Sequence, residues 1–227
     1  TTSYGTGELI VHALSQGIRK IAIAIGGSAT NDGGMGMLAA LGVRFLDESG
    51  SLLRGCGGDL EKVASIDLSG LHPAVRETEF TVMCDVTNPL LGPEGATFTF
   101  SAQKGADAVM QQCLEAGMAH YAELAEKATG VPAREVPGAG AAGGLGFALM
   151  SFLGANLQSG IETVLDLVHF DELLKDADLV VTGEGRMDWQ SSYGKVPSGV
   201  GKRCQKAGVP AVAIVGGLLP GYESIYE

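Results

Sequence analysis

The stretch Thr182-Gly183-Glu184-Gly185-Arg186-Met187-Asp188-Trp189-Gln190-Ser191, with Gly194-Lys195 just beyond it, is the segment of this sequence best equipped for chemistry. It brings together two carboxylates, two cations and an amide. Phosphoryl transfer calls for that mixture: cations on the phosphates, an acid for a divalent metal ion, and a carboxylate that takes the proton of the attacking hydroxyl. Asp188, Arg186 and Lys195 are the candidate catalytic residues. Glu184 sits closer to the preceding apolar run Asp178–Thr182 and is the candidate ligand for Mg²⁺; Gln190 is a candidate substrate or nucleotide contact. A surface network of ion pairs would use the same residue types, but these follow a buried run directly, which favours a site.

Two further loops hold acids or amides after apolar runs. Gly26-Gly27-Ser28-Ala29-Thr30-Asn31-Asp32-Gly33-Gly34 follows KIAIAI and enters an apolar helix. Free amides at that helix start would face the loop, an anion-binding arrangement to which Ser28, Thr30 and Asn31 add hydrogen bonds. Capping by Asn31 or Asp32 is the plainer alternative, though a cap does not need the surrounding glycines. Asp85 and Asn88 lie in the second loop, Cys84–Leu90. Ligands of open α/β sheets bind beyond the carboxyl ends of the strands. Ser28, Asn31, Asp32, Asp85 and Asn88 are therefore candidate substrate or nucleotide contacts.

Other signals are weaker. Gly138-Ala139-Gly140-Ala141-Ala142-Gly143 matches G-x-G-x-x-G, but that pattern marks a dinucleotide site only after a strand, and Ala133–Pro137 is not a convincing one. Lys195 is followed by Val196, so there is no Walker A loop, and any ATP site here lies outside the P-loop class. His12, His72, His120 and His169 are scattered and read as structural or exposed. Trp189 suits packing at least as well as stacking on an adenine.

Positioning these loops falls to short alternating elements. Helices are expected at Gly7–Gln16, Met35–Leu41, Asp107–Ala128, Phe147–Leu153 and Pro197–Lys206, the last with Pro in its first turn. Strands are expected at Lys20–Ile25, Phe80–Cys84, Asp178–Thr182 and Val209–Val215, with a hairpin over Val43–Leu53 turning at Glu48-Ser49-Gly50. Such alternation indicates an α/β fold with a largely parallel sheet, made mixed by the hairpin. A division into residues 1–177 and 178–227 follows, the second part carrying the proposed catalytic loop.

Composition narrows the partners. Glycine accounts for 35 of 227 residues, well above the usual fraction of about 7%, with no G-X-Y period, so these are tight turns and close backbone approaches. A net charge of −11 argues against nucleic acid but not against one bound nucleotide, which a few amides, a cation or two and a metal ion can hold. Cys56, Cys84, Cys113 and Cys204 fall in no metal-binding spacing and suit a reducing cytoplasm, the expected location. No apolar run reaches the ~18 residues of a membrane span, and no secretory signal is recognised. The chain opens without an initiator Met, and the expectation is that it begins inside a longer protein.

Taken in order, the segments GGSATNDGG, CDVTNPLLG, PGAGAAGGLG and TGEGRMDWQSSYGKVPSGV resemble the bacterial glycerate kinase family, as do the opening TTSYGTGELI and the QKGA at Gln103–Ala106. The resemblance covers nearly the whole chain. It implies two α/β domains in the full family architecture, with this chain carrying mainly the mixed-sheet domain plus part of the parallel-sheet domain. It also implies transfer of the γ-phosphoryl group of ATP to D-glycerate with Mg²⁺, giving 2-phosphoglycerate. Family loops Pro-Asp-Ser and Asp-Gly-Gly-Glu-Gly lie outside this chain, and Ser101-Ala102 replaces the family's usual Gly-Pro. Competing readings are a non-catalytic sugar-acid or nucleotide-binding module and, more remotely, an NAD-dependent hydroxy-acid dehydrogenase using Glu162.

Overall fold

Residues 1–187 and 196–223 are described by the computed structural model, which divides into two units, Thr1–Leu157 and Gln158–Glu227. Asp188, Gln190 and Lys195 therefore lie outside the described residues. The first unit runs α1 (Tyr4–Ser15), β1 (Lys20–Ala24), α2 (Met35–Ala40), β2 (Arg44–Leu46), β3 (Ser65–Asp67), β4 (Glu79–Met83), α3 (Ala96–Phe100), α4 (Ala108–Thr129), α5 (Ala141–Leu153) and β5 (Asn156–Gln158), which ends at the break. The second holds α6 (Gly160–Leu167), α7 (Phe170–Leu173), β6 (Val180–Glu184), α8 (Val196–Ala207) and β7 (Ala211–Val215). Among the described residues no helix is long and apolar enough to cross a membrane.

A three-stranded sheet in the order β1-β4-β5 forms the floor of the first unit. β1 and β4 run parallel, pairing Ile21 with Phe80 and Ile23 with Val82. Their β-branched and aromatic side chains suit a pleated, packed surface. Parallel pairing has a functional consequence: the loops after both strands emerge at the same sheet edge. The expected hairpin is only partly realised. Asp47 accepts the amides of Ser49 and Ser51 (2.9 Å each) and closes the turn, but the regular antiparallel partner of β2 is β3, with Phe45 opposite Ile66.

Packing above the sheet is dense. α4 starts where the Asp107 side chain accepts the Met110 amide (2.8 Å) and stops at Gly130, whose φ of 74° favours glycine. Its inward face, Met118, Tyr121, Ala122 and Ala125, is fully buried. Tyr121 meets Phe45 and Phe147 edge-on, each with ring centroids 6.0 Å away, an arrangement favoured by the ring quadrupoles.

The glycine-rich segment before α5 differs from expectation. The helix begins at Ala141, inside the presumed loop, and kinks where Ala142, Gly143 and Gly144 take φ of 55°, 69° and 90°. The kink lets backbone pass close to backbone. A Cβ at Gly140 would sit 2.1 Å from the Pro89 carbonyl oxygen, and one at Gly143 would sit 2.1 Å from that of Thr30. Close approach explains the G-x-G-x-x-G match.

In the second unit, Leu165 and Leu174 pack against Val200 and Cys204. Arg203 on α8 donates to Glu162 and Asp166 on α6 and to Asp171 on α7. These contacts draw α6 and α7 to α8, and so the break falls after Leu157 and not after residue 177. β6 and β7 form a parallel pair with Val181 opposite Val212. This small sheet leaves much apolar surface open, Val181 being 60% and Ile214 67% exposed.

Gly143→Ala should combine a positive-φ penalty with collision at Thr30, costing about 3 kcal/mol of stability. Chemical denaturation with a lowered midpoint and an unchanged slope would register that loss.

Candidate functional site

A cavity of about 470 Å³ opens at the carboxyl ends of β1 and β4. The residues following β1 (Ile25 to Ala29) and those at the end of β4 and beyond it (Met83 to Val86) line it, with Ala141 and Ala142 from the start of α5, Phe100 from the end of α3, and Gln103 and Lys104 from the segment after α3. Parallel strands thus unite two loops that the sequence separates. Ser28 and Asp85, two of the predicted contacts, are in its wall.

Lys104 is the cation of this cavity, and the sequence reading passed over it. Its ammonium donates to the Ser28 hydroxyl (2.9 Å) and to the Thr30 carbonyl (2.7 Å). Half-burial lowers its pKa from the ordinary lysine value, and the charge of Asp32 acts in the opposite direction. Lys104 also lines a second cavity of about 260 Å³, together with Asn31 and Ser101. The signal that could have found it is a single lysine in the short QKGA segment, whose match to the family was noted without a role.

Other predicted contacts face inward. Asp32 is fully buried; one carboxylate oxygen accepts the Ser3 amide (2.7 Å) and hydroxyl (2.8 Å), and the other accepts the Gly34 amide (3.0 Å). The Ser3 hydroxyl oxygen in turn accepts the Met37 amide (2.9 Å). At the start of α2, where the sequence suggested an anion site, the amides of Met37, Gly34 and Met35 are engaged by the Ser3 hydroxyl, the Asp32 carboxylate and the Asp32 carbonyl (3.0 Å for Met35). Asp32 lines neither cavity. Asn88 donates to the Glu94 carbonyl (2.7 Å), bracing the turn into α3, and is not in the larger cavity's wall.

Chemistry of other kinds finds little support in these walls. The Cys84 thiol donates to the Val86 carbonyl (3.2 Å), and burial pushes its pKa up, so it stays protonated. His120 is hydrogen-bonded to the Val63 carbonyl (2.7 Å), and His72 accepts the Ala74 amide (3.3 Å). The dehydrogenase reading loses its acidic residue, since Glu162 is paired with Arg203. In the second unit, Glu184 ends β6 and accepts the Gly185 amide (3.1 Å), and Arg186 beside it is exposed.

Mg²⁺ is held in nucleotide enzymes by one or two carboxylates plus substrate phosphates and water. Among the described residues, Asp85 is the acid in the larger cavity's wall that could serve in that way.

Fold and cavity define an α/β protein with a pocket at the carboxyl ends of parallel strands, lined by apolar residues and glycines with a few polar groups among them, where this class binds small ligands. A family model described as the glycerate kinase family matches residues 1–227. The chain is 50% identical over 227 residues to a glycerate kinase of Bacillus subtilis, covering 100% of this chain and 59% of that protein. It is 51% identical over 218 residues to the glycerate 2-kinase of Escherichia coli, covering 96% of this chain and 57% of the relative. A crystal structure from Salmonella typhimurium LT2, of a protein provisionally named glycerate kinase 2, superposes with a TM-score of 0.88 at 46% identity, over 97% of this chain and 61% of that one. The chain belongs to the glycerate kinase family, and it spans about 60% of the length of these relatives.

Removing the Asp32 carboxylate leaves the buried Ser3 amide and hydroxyl without their acceptor. Asp32→Ala should therefore cost about 3–5 kcal/mol, visible as a large drop in melting temperature. A melting temperature within a degree or two of wild type would contradict this structural role.

Proposed function

We propose that the whole protein containing this chain is a kinase that transfers the γ-phosphoryl group of ATP to D-glycerate, with Mg²⁺, giving 2-phosphoglycerate and ADP. The observation that carries this reading is the family match along the full 227 residues, in register with the loops that bear the acids and cations. D-glycerate, ATP and the position phosphorylated come from that kinship. The cavity beyond β1 and β4 offers surroundings of the right kind: glycine backbone, the Ser28 hydroxyl, the Lys104 ammonium and the Asp85 carboxylate.

The hydroxyl of glycerate is a poor nucleophile at neutral pH. A carboxylate that accepts its proton as the bond to phosphorus forms is the main contribution a side chain can make. Asp188 is assigned that role, with Arg186 and Lys195 drawing in phosphate, Glu184 contributing to Mg²⁺ binding and Gln190 contacting substrate. Ser28 and Asp85 remain proposed ligand contacts. Asp32 and Asn88 drop out of the contact set, because their side chains hold the protein's own backbone. Asn31, which lines the second cavity, is retained as a contact there.

ADP release dependent on D-glycerate tests the reaction, and ³¹P NMR of the product separates 2-phosphoglycerate from the 3-isomer. Absence of turnover with ligand binding intact would favour the non-catalytic module. In the full-length protein, Asp188→Asn should lower kcat by about 10²–10⁴-fold with ATP affinity nearly unchanged. Wild-type kcat in that variant would remove Asp188 from the chemistry.

A further inference from the structure

An ammonium group has three N–H donors. Two of those on Lys104 are committed to the loop after β1, one to the Ser28 hydroxyl and one to the Thr30 carbonyl. Lys104 is one of the residues lining the larger cavity, and two such bonds leave the third N–H of its ammonium as a further donor. Because the lysine is half-buried, its charge is less screened than that of a surface lysine. Among the described residues it is the cation of a wall that also carries Asp85, and an anion entering the cavity meets its favourable potential there.

The glycines beside it carry an independent message. Most glycines around the kink before α5 are required by packing, with protein atoms 2.1 to 2.8 Å from where a Cβ would lie at Gly140, Gly143, Gly144 and Gly146. Gly26 and Gly27 line the same cavity as Lys104, yet a Cβ at either would meet no protein atom within 4 Å. At Gly26 the backbone does not demand glycine either, its φ lying outside the positive range. Nothing among the described residues explains a glycine there, whereas a ligand seated against the backbone does. Across the cavity, Ala142 is held at φ 55°, a strained conformation for a residue with a Cβ, of the kind found where a site's geometry is fixed by its surroundings.

We propose that the Lys104 ammonium, aimed by Ser28 and Thr30, binds an oxyanion of the substrate in this cavity, with the Gly26-Gly27 backbone passing beneath the bound group. The oxyanion is the carboxylate of a small hydroxy acid or a phosphate of the nucleotide; both present the same chemistry to an ammonium. The choice of these two sources rests on the kinase reading, while the anion site itself does not.

The test uses the full-length protein, calorimetric titration and four probes: D-glycerate and its uncharged amide, ATP with Mg²⁺, and adenosine. Lys104→Met should weaken D-glycerate or ATP by about 10- to 100-fold, as expected for loss of a charged hydrogen bond, with little change for the uncharged counterpart. Loss confined to glycerate identifies the carboxylate, and loss confined to ATP identifies a phosphate. Lys104→Arg should recover part of the affinity. Because Lys104 also braces the loop, a distorted variant would lose charged and uncharged probes alike, and that equal loss overturns the proposal. So do unchanged affinities in Lys104→Met, and so does a wild-type protein that binds neither anion. Anion binding that depends on Lys104 without formation of phosphoglycerate would sink the kinase reading and leave the site standing. Normal turnover with wild-type affinities in Lys104→Met would do the reverse.

Discussion

The first unit depends on backbone passing backbone at van der Waals limits. The segment entering α5 is threaded against the loop after β1 at Thr30 and against the loop after β4 at Pro89. A hydrogen bond from the Gly33 amide to the Gly143 carbonyl (3.0 Å) and another from the Gly140 amide to the Asn88 carbonyl (3.0 Å) lock the crossings. Only residues without a Cβ permit such contact. Part of the glycine excess in the composition is this constraint, and the cavity has its shape because three loops are drawn together at one sheet edge.

Within one loop the sequence places two opposite electrostatic solutions. Asp32 is turned inward, where three donors from Ser3 and Gly34 satisfy it and where it ties the start of α1 to the start of α2. Lys104 reaches the same loop from the segment after α3, bonds Ser28 and Thr30, and lines the cavity beside it. A buried carboxyl group with all its partners supplied by the protein is a structural device, since removing either side leaves an orphan. A partly engaged ammonium at a cavity wall is a different matter: it can exchange water for a ligand at little cost in rearrangement.

The legible and illegible parts of the sequence divide along physical lines. KIAIAI and FTVMC were readable as short apolar runs, although β4 buries Phe80 and Val82 while β1 only partly covers Ile21 and Ile23, and their following loops stood out by contrast. β3 and β5 have three residues each, too few to show alternation, and α6 was missed although its buried Leu165 helps form the second unit's core. The loops after β1 and β4 were identified as candidate site segments, with Ser28 and Asp85 reaching the cavity. Asp32 and Asn88 were chosen by residue type, and residue type does not reveal whether a side chain turns toward a ligand or toward its own backbone. Lys104 went unassigned for the complementary reason: it lies between α3 and α4, far in sequence from the loops it joins, and no local spacing marks a long-range contact.

The open faces of β6 and β7 bear on how the protein breathes. A two-stranded sheet with exposed Val181, Val212 and Ile214 has little burial to resist opening. β4, by contrast, lies beneath a continuous core in which Phe80 and Val82 are almost wholly enclosed, with Ile21 and Ile23 of β1 packed at its edge. In this 227-residue chain taken by itself, amide protons along β6 and β7 should therefore trade with deuterium in excursions that leave the first sheet intact, so the strand leading to Glu184 and Arg186 is the more readily opened of the two sheets' strands there.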